Sequence, residues 1–100
     1  MIAEIQCLPS PPGSPDVTYA HIEAAIAVVA ASGLTYEVGA LGTTFEGPPG
    51  EVWTVLRDAH EATLAAGASS VVTVIKVFQA DDPEHRDGGP GIHELVAAHR

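Results

Sequence analysis

Residues 35–47 read Thr-Tyr-Glu-Val-Gly-Ala-Leu-Gly-Thr-Thr-Phe-Glu-Gly, and the alternation within them decides how the rest of the chain is arranged. Two short extended runs, Tyr36–Ala40 and Thr43–Glu46, meet at a pivot of Leu41 and Gly42. Successive strand side chains point to opposite faces. With Tyr36, Val38 and Phe45 turned to a core, Glu37, Thr44 and Glu46 emerge together on the other side. Gly39 and Gly42 permit the reversal and let the backbone come close to a neighbour. An antiparallel hairpin with carboxylates and hydroxyls on its free face is a recognition surface rather than a catalytic motif.

On the N-terminal side of the hairpin, Ile2–Leu8 alternates as a strand, with Ala3, Ile5 and Cys7 on one face and Ile2, Glu4, Gln6 and Leu8 on the other. The prolines at 9, 11, 12 and 15 predict a stiff loop. Ser14-Pro15-Asp16 predicts a helix start, with Ser14 as N-cap and Pro15 at the first helical position. Ile22, Ala25, Ile26 and Val29 form its apolar stripe, and Gly33 supplies the stop.

On the C-terminal side, Gly47-Pro48-Pro49-Gly50-Glu51 opens a second helix that buries Val52, Val55, Leu56, Ala59, Ala62 and Ala66 and ends at Gly67. A second ridge of Trp53, Arg57, His60 and Leu64 is apolar enough to meet another subunit. Val71–Phe78 is a β-branched strand whose single charge, Lys76, shares a face with Val72 and Val74. Residues 79–91 read as an acidic surface loop and 92–99 as a short terminal helix. The order βαββαβ predicts one α+β domain over residues 1–100, a ferredoxin-like two-layer sandwich with a C-terminal helix. Its uncovered sheet face, carrying Ile2, Leu8, Val72 and Val74, predicts an oligomer.

Composition narrows the function. One hundred residues make a single core, and with 46% hydrophobic but only 5% aromatic residues that core is aliphatic. A net charge of −9 argues against nucleic acid and against anionic lipid, and favours a cationic ligand. The lone Cys7 cannot form an internal disulfide, and no leader or membrane-length apolar run is evident, so a cytoplasmic protein is expected. The five histidines match no zinc spacing, and no phosphate loop, nucleophile elbow or dinucleotide fingerprint occurs. No metal and no cofactor is expected.

Several stretches together resemble a known family. Ile2-Ala3-Glu4-Ile5, Gly33-Leu34-Thr35-Tyr36-Glu37-Val38-Gly39 and Gly42-Thr43-Thr44-Phe45-Glu46-Gly47 are similar to the small thiamine-binding YkoF-like proteins. Ala59-His60-Glu61-Ala62, with Gly67-Ala68 before a Val/Thr/Ile-Lys strand, resembles that family's second half, so the likeness covers nearly the whole chain. It departs in the Pro-rich 9–15 segment and in Phe45, which fills a slot usually aliphatic. The resemblance implies a ferredoxin-like subunit, assembled as a homodimer or homotetramer, that binds thiamine or its hydroxymethylpyrimidine moiety without reacting it.

Such a ligand carries a permanent thiazolium charge and an aminopyrimidine with alternating donors and acceptors. A carboxylate suits the cation or an exocyclic amine, hydroxyls suit the ring nitrogens, and an aromatic face stacks on either ring. Glu37, Thr43, Thr44 and Glu46 are therefore the candidate ligand-binding residues, with Gln6 and Tyr36 behind them. Period 2 sets Thr43 opposite Thr44, which leaves a coreward orientation open for Thr43.

Plainer readings stand beside these. Glu37 and Glu46 serve equally as solvated or subunit-facing carboxylates, paired to Lys76. Tyr36 reads as a core-edge residue, Trp53 as packing or interface, and Cys7 as an inert buried thiol. Two other functions remain in play: a ligand-free interaction module, or a small cofactor-free enzyme using His60 or Glu46 as base.

Overall fold

The computed structural model describes residues 1–80. Within them run β1 (Ile2–Ser10), α1 (Ala20–Ala31), β2 (Thr35–Val38), β3 (Thr43–Glu46), α2 (Pro49–Ala65) and β4 (Ser70–Phe78). The strands form one four-stranded sheet in the order β2-β3-β1-β4, every neighbouring pair antiparallel. Both helices pack on one sheet face and against each other. This is the ferredoxin-like α+β arrangement that the element order predicts. The acidic loop and terminal helix expected over 79–91 and 92–99 lie outside the described residues, apart from positions 79 and 80.

The core lies between the layers. Ala3 and Ile5 of β1 and Phe45 of β3 meet Ala25 and Val29 of α1 and Val52, Leu56 and Ala59 of α2, all of them buried. Phe45 is the largest fully buried side chain, so the aromatic departure at this slot fills the centre of the core. Each helix ends at a glycine with positive φ, Gly33 at 81° and Gly67 at 126°, where L side chains are strained.

Several element ends and one buried position differ from the sequence reading. β1 continues through Pro9, opposite Val71, to Ser10, opposite Ser70. Proline is tolerated there because its missing N–H faces away from β4, as the hydrogen-bond parity described below requires. The first residue of α1 is Ala20 rather than Pro15, with Tyr19 in place of Ser14 at the N-cap position. The Ser14 hydroxyl does accept an N–H bond, but from Val17 in a local turn (3.1 Å). The real N-terminus of α1 is satisfied from a distance: the Pro12 carbonyl accepts the N–H groups of His21 (3.0 Å) and Ile22 (3.3 Å). His21 is itself buried, and its Nδ1 donates to the Pro11 carbonyl at 2.7 Å. Gly13 lies where a Cβ would run into the Val17 and Thr18 carbonyls.

In the hairpin, β2 stops at Val38 instead of Ala40, and Gly39 N–H bonds Gly42 O (2.8 Å) to close the turn around Ala40 and Leu41. In α2, Thr63 replaces the expected Ala66 on the buried face, because the helix ends at Ala65 and Ala66 is exposed. The Thr63 hydroxyl is buried without penalty by donating to the His60 carbonyl (2.8 Å).

Candidate functional site

The register aligns one polar row across the open sheet face. Glu37 on β2 lies opposite Thr44 on β3, Thr44 opposite Glu4 on β1, and Glu4 opposite Lys76 on β4. Glu37 and Lys76 thus occupy opposite edges of the sheet and do not pair within one subunit. Instead Glu37, Thr44 and Glu4 line an open cleft with the loop residues Gly39–Gly42. Glu4 reaches toward this loop: a Cβ on Gly42 would lie 3.2 Å from its Cγ. Two carboxylates and a hydroxyl at the tip of a hairpin, in an acidic chain, favour a cation there.

The same loop borders a second pocket on the helix side of the sheet. Its volume is about 200 Å³, and its lining includes Gln6, Cys7, Thr43, Ile22, Ile26 and Val29. The two spaces are back to back, divided by the hairpin tip.

The six candidate residues therefore separate. Glu37 and Thr44 line the open cleft, and Gln6 shares their sheet face, opposite Val74. Thr43 turns coreward, 4% exposed, and lines the helix-side pocket. Tyr36 is on the helix side, opposite Phe45, but the sheet edge leaves it 43% exposed, and it borders neither space. Glu46 sits at the far end of β3, opposite Ile2 and Thr35. It is close enough to the Met1 ammonium to work against the lowering of that amine's pKa, which desolvation dominates. Glu4 completes the row and is absent from the candidate set. Alternation already put it on the face of Gln6, but only the β1–β3 register brings it to Glu37.

A separate polar chain fastens α2 to the sheet. His60 Nδ1 lies 2.6 Å from the Thr73 hydroxyl, which in turn lies 3.7 Å from Cys7 Sγ. Burial pushes the Cys7 thiol above its usual value, and the bond from Thr73 pulls it partway back. A nucleophile would need the reverse. The outer ridge of α2 holds Trp53, 51% exposed, and Arg57, which bonds its neighbour Asp58 at the surface (3.6 Å). Among the described residues no three His, Cys, Asp or Glu side chains gather as a metal-ligand set, and no helix is long and apolar enough to cross a membrane.

The architecture defines a ferredoxin-like α+β protein with two spaces around one hairpin tip. The chain belongs to the thiamine-binding protein family, whose profile matches residues 3–89. It is 26% identical over 96 residues to a UPF0045 protein of Clostridium perfringens, covering 96% of this chain and 93% of that one. Among solved structures it is similar to a domain of unknown function, DUF77, from Bacillus cereus, at 32% identity and a TM-score of 0.74, covering 100% of this chain and 91% of that one. A hypothetical protein of Methanocaldococcus jannascii superposes with a TM-score of 0.76 at 26% identity, covering 97% and 92%. A candidate thiamine biosynthesis/salvage protein of Thermotoga maritima shares the fold, with a TM-score of 0.74 at 23% identity, covering 99% and 97%.

Proposed function

We propose that this protein binds thiamine, or its hydroxymethylpyrimidine moiety, at the β2–β3 hairpin tip and holds the vitamin without converting it. The observation that carries the reading is the Glu37–Thr44–Glu4 row on the open sheet face, found in a chain of the thiamine-binding family. A thiazolium cannot lose its charge, so carboxylates beside it contribute at every pH at which they are ionised. Gln6 and Thr43 border the helix-side pocket at the same tip, and Glu46 and Tyr36, which lie away from it, complete the candidate set.

The subunit, one domain over residues 1–100, works as a homodimer or homotetramer. Leu8, Val72, Val74 and Phe78 are 43–64% exposed on the face that carries the acidic row. A second copy laid on that face covers these side chains and encloses the cleft. Catalysis has no support from Cys7, whose thiol is held in its neutral form, or from His60, whose Nδ1 is engaged by Thr73.

Calorimetric titration with thiamine at low salt and neutral pH tests this. Saturable heat at one site per subunit or per subunit pair is expected. The absence of heat at several temperatures, with a folded protein, overturns the reading for thiamine.

A further inference from the structure

The helix-side pocket contains a feature that side-chain reading cannot find: an open stretch of strand edge. Along an antiparallel strand each residue sends its N–H and C=O to the same side, and the side alternates. In β1 two observations fix the parity. Met1 exchanges bonds with Gly47 on the β3 side (3.0 and 3.1 Å), while the Ser10 carbonyl accepts the Ser69 N–H on the β4 side (2.8 Å). Ala3, Ile5, Cys7 and Pro9 therefore address β3, and Glu4, Gln6 and Leu8 address β4. The β1–β3 ladder ends at Ile5 opposite Thr43, where the hairpin turns away. Cys7 is the next residue addressing that side. Among the described residues no strand pairs with it on that side, although Thr73 of β4 is its partner on the other, and it lines the pocket.

We infer that the N–H and C=O of Cys7 recognise a 4-aminopyrimidine edge. The ring nitrogen accepts from the Cys7 N–H while the adjacent amine donates to the Cys7 carbonyl, as an opposed strand residue would do. Ile22, Ile26 and Val29 supply apolar contact to the ring faces, and the Gly39–Gly42 loop closes the end. A pocket of about 200 Å³ is smaller than the ~300–1,000 Å³ of drug-sized ligand sites, so it takes one ring and leaves the remainder outside. Thiamine's own pyrimidine has this edge, and so does adenine; the single-ring volume favours the former. The inference rests on the thiamine reading and places the pyrimidine on the helix side of the hairpin.

The test follows backbone amide shifts and hydrogen exchange in the intact protein. In the free protein the Gln6 and Leu8 amides, bonded to β4, exchange slowly and the Cys7 amide fast. Titration with 4-amino-5-hydroxymethyl-2-methylpyrimidine should move the Cys7 amide resonance and slow its exchange at least ~10-fold, the equivalent of one added hydrogen bond. The analogue with methyl in place of the 4-amino group should bind at least ~10-fold more weakly, and adenine should leave Cys7 unmoved. Ile26→Trp, which fills the pocket, should abolish the response; the wild-type titration stands even where that variant does not fold.

Thiamine binding that shifts Glu37 and Thr44 but not Cys7 overturns the inference and spares the proposed function. A Cys7 response to adenine alone overturns the vitamin assignment while the edge stands. No response to either pyrimidine or to thiamine overturns both.

Discussion

His60 on α2 and Thr73 on β4 meet at 2.6 Å, joining the helix layer to the edge strand through side chains. Thr73→Val keeps the shape and removes the hydroxyl, leaving His60 Nδ1 half-buried without its partner. The expected loss is about 1–2 kcal/mol of folding stability, read as a lower denaturant midpoint at unchanged slope. A midpoint equal to wild type would mean that water replaces the hydroxyl at no cost.

Thr73 also bears on Cys7. Burial raises the thiol above its reference value of 9.0, and the Thr73 bond offsets part of that. The folded state therefore holds this proton more tightly than the unfolded chain does. Its contribution to stability is complete below the unfolded thiol's pKa and is lost as pH rises through the higher folded value. Alkylation of Cys7 by iodoacetamide in the native protein should accelerate only above pH 9, later than in the urea-unfolded chain. Thr73→Val should delay it further.

Glu37→Gln removes one carboxylate from the open-face row without changing its size. Thiamine affinity should fall by roughly 3- to 10-fold at low salt, with the difference shrinking as salt is added, because exposed charges are screened. Size-exclusion elution should not change. Dissociation of the oligomer by this substitution would assign Glu37 to a subunit seam.

The two glycine stops should differ in their sensitivity to alanine. Gly33, with φ of 81°, has nothing within 4 Å of an added Cβ, so Gly33→Ala carries only the left-handed backbone penalty of about 1–2 kcal/mol. Gly67, with φ of 126°, would set its Cβ 3.1 Å from Nε2 of the buried His21. Gly67→Ala should therefore show a clearly larger fall in melting temperature. Equal effects would show that His21 moves aside freely.

Val72→Glu places a charge beside Leu8 and Val74 on the open face. A monomer in sedimentation analysis, with native circular dichroism, is the expected outcome; an unchanged oligomer would move the subunit contact elsewhere, the Trp53 ridge being the next surface to test.

Much of this fold is legible in the chain because its signals are local. Gly33 and Gly67 terminate helices, and alternation in 2–8 and 43–46 sorts side chains between layers. The errors arise where distant groups decide. Ser14 and Pro15 carry a helix-start pattern, yet the Pro12 carbonyl and the buried His21 set the helix start five residues later, at Ala20. Thr63 looks too polar for a core until its hydroxyl finds the His60 carbonyl. The site divides in the same way. Period 2 groups Glu37 with Thr44, but Glu4 joins them only through a register no single strand encodes. The Cys7 edge leaves no trace in side-chain identity at all, since backbone groups recognise independently of the residue that carries them.

Pro9 gives that edge a further property. Beyond Cys7 it is the next residue addressing the open side, and it brings a carbonyl but no N–H. A foreign strand sliding along β1 would meet one usable peptide unit and then a missing donor, so it could not zip onward. A small planar molecule needs only the first unit. The proline that interrupts the sequence pattern thus acts as a length filter, keeping the notch selective against polypeptide while leaving it open to a single ring.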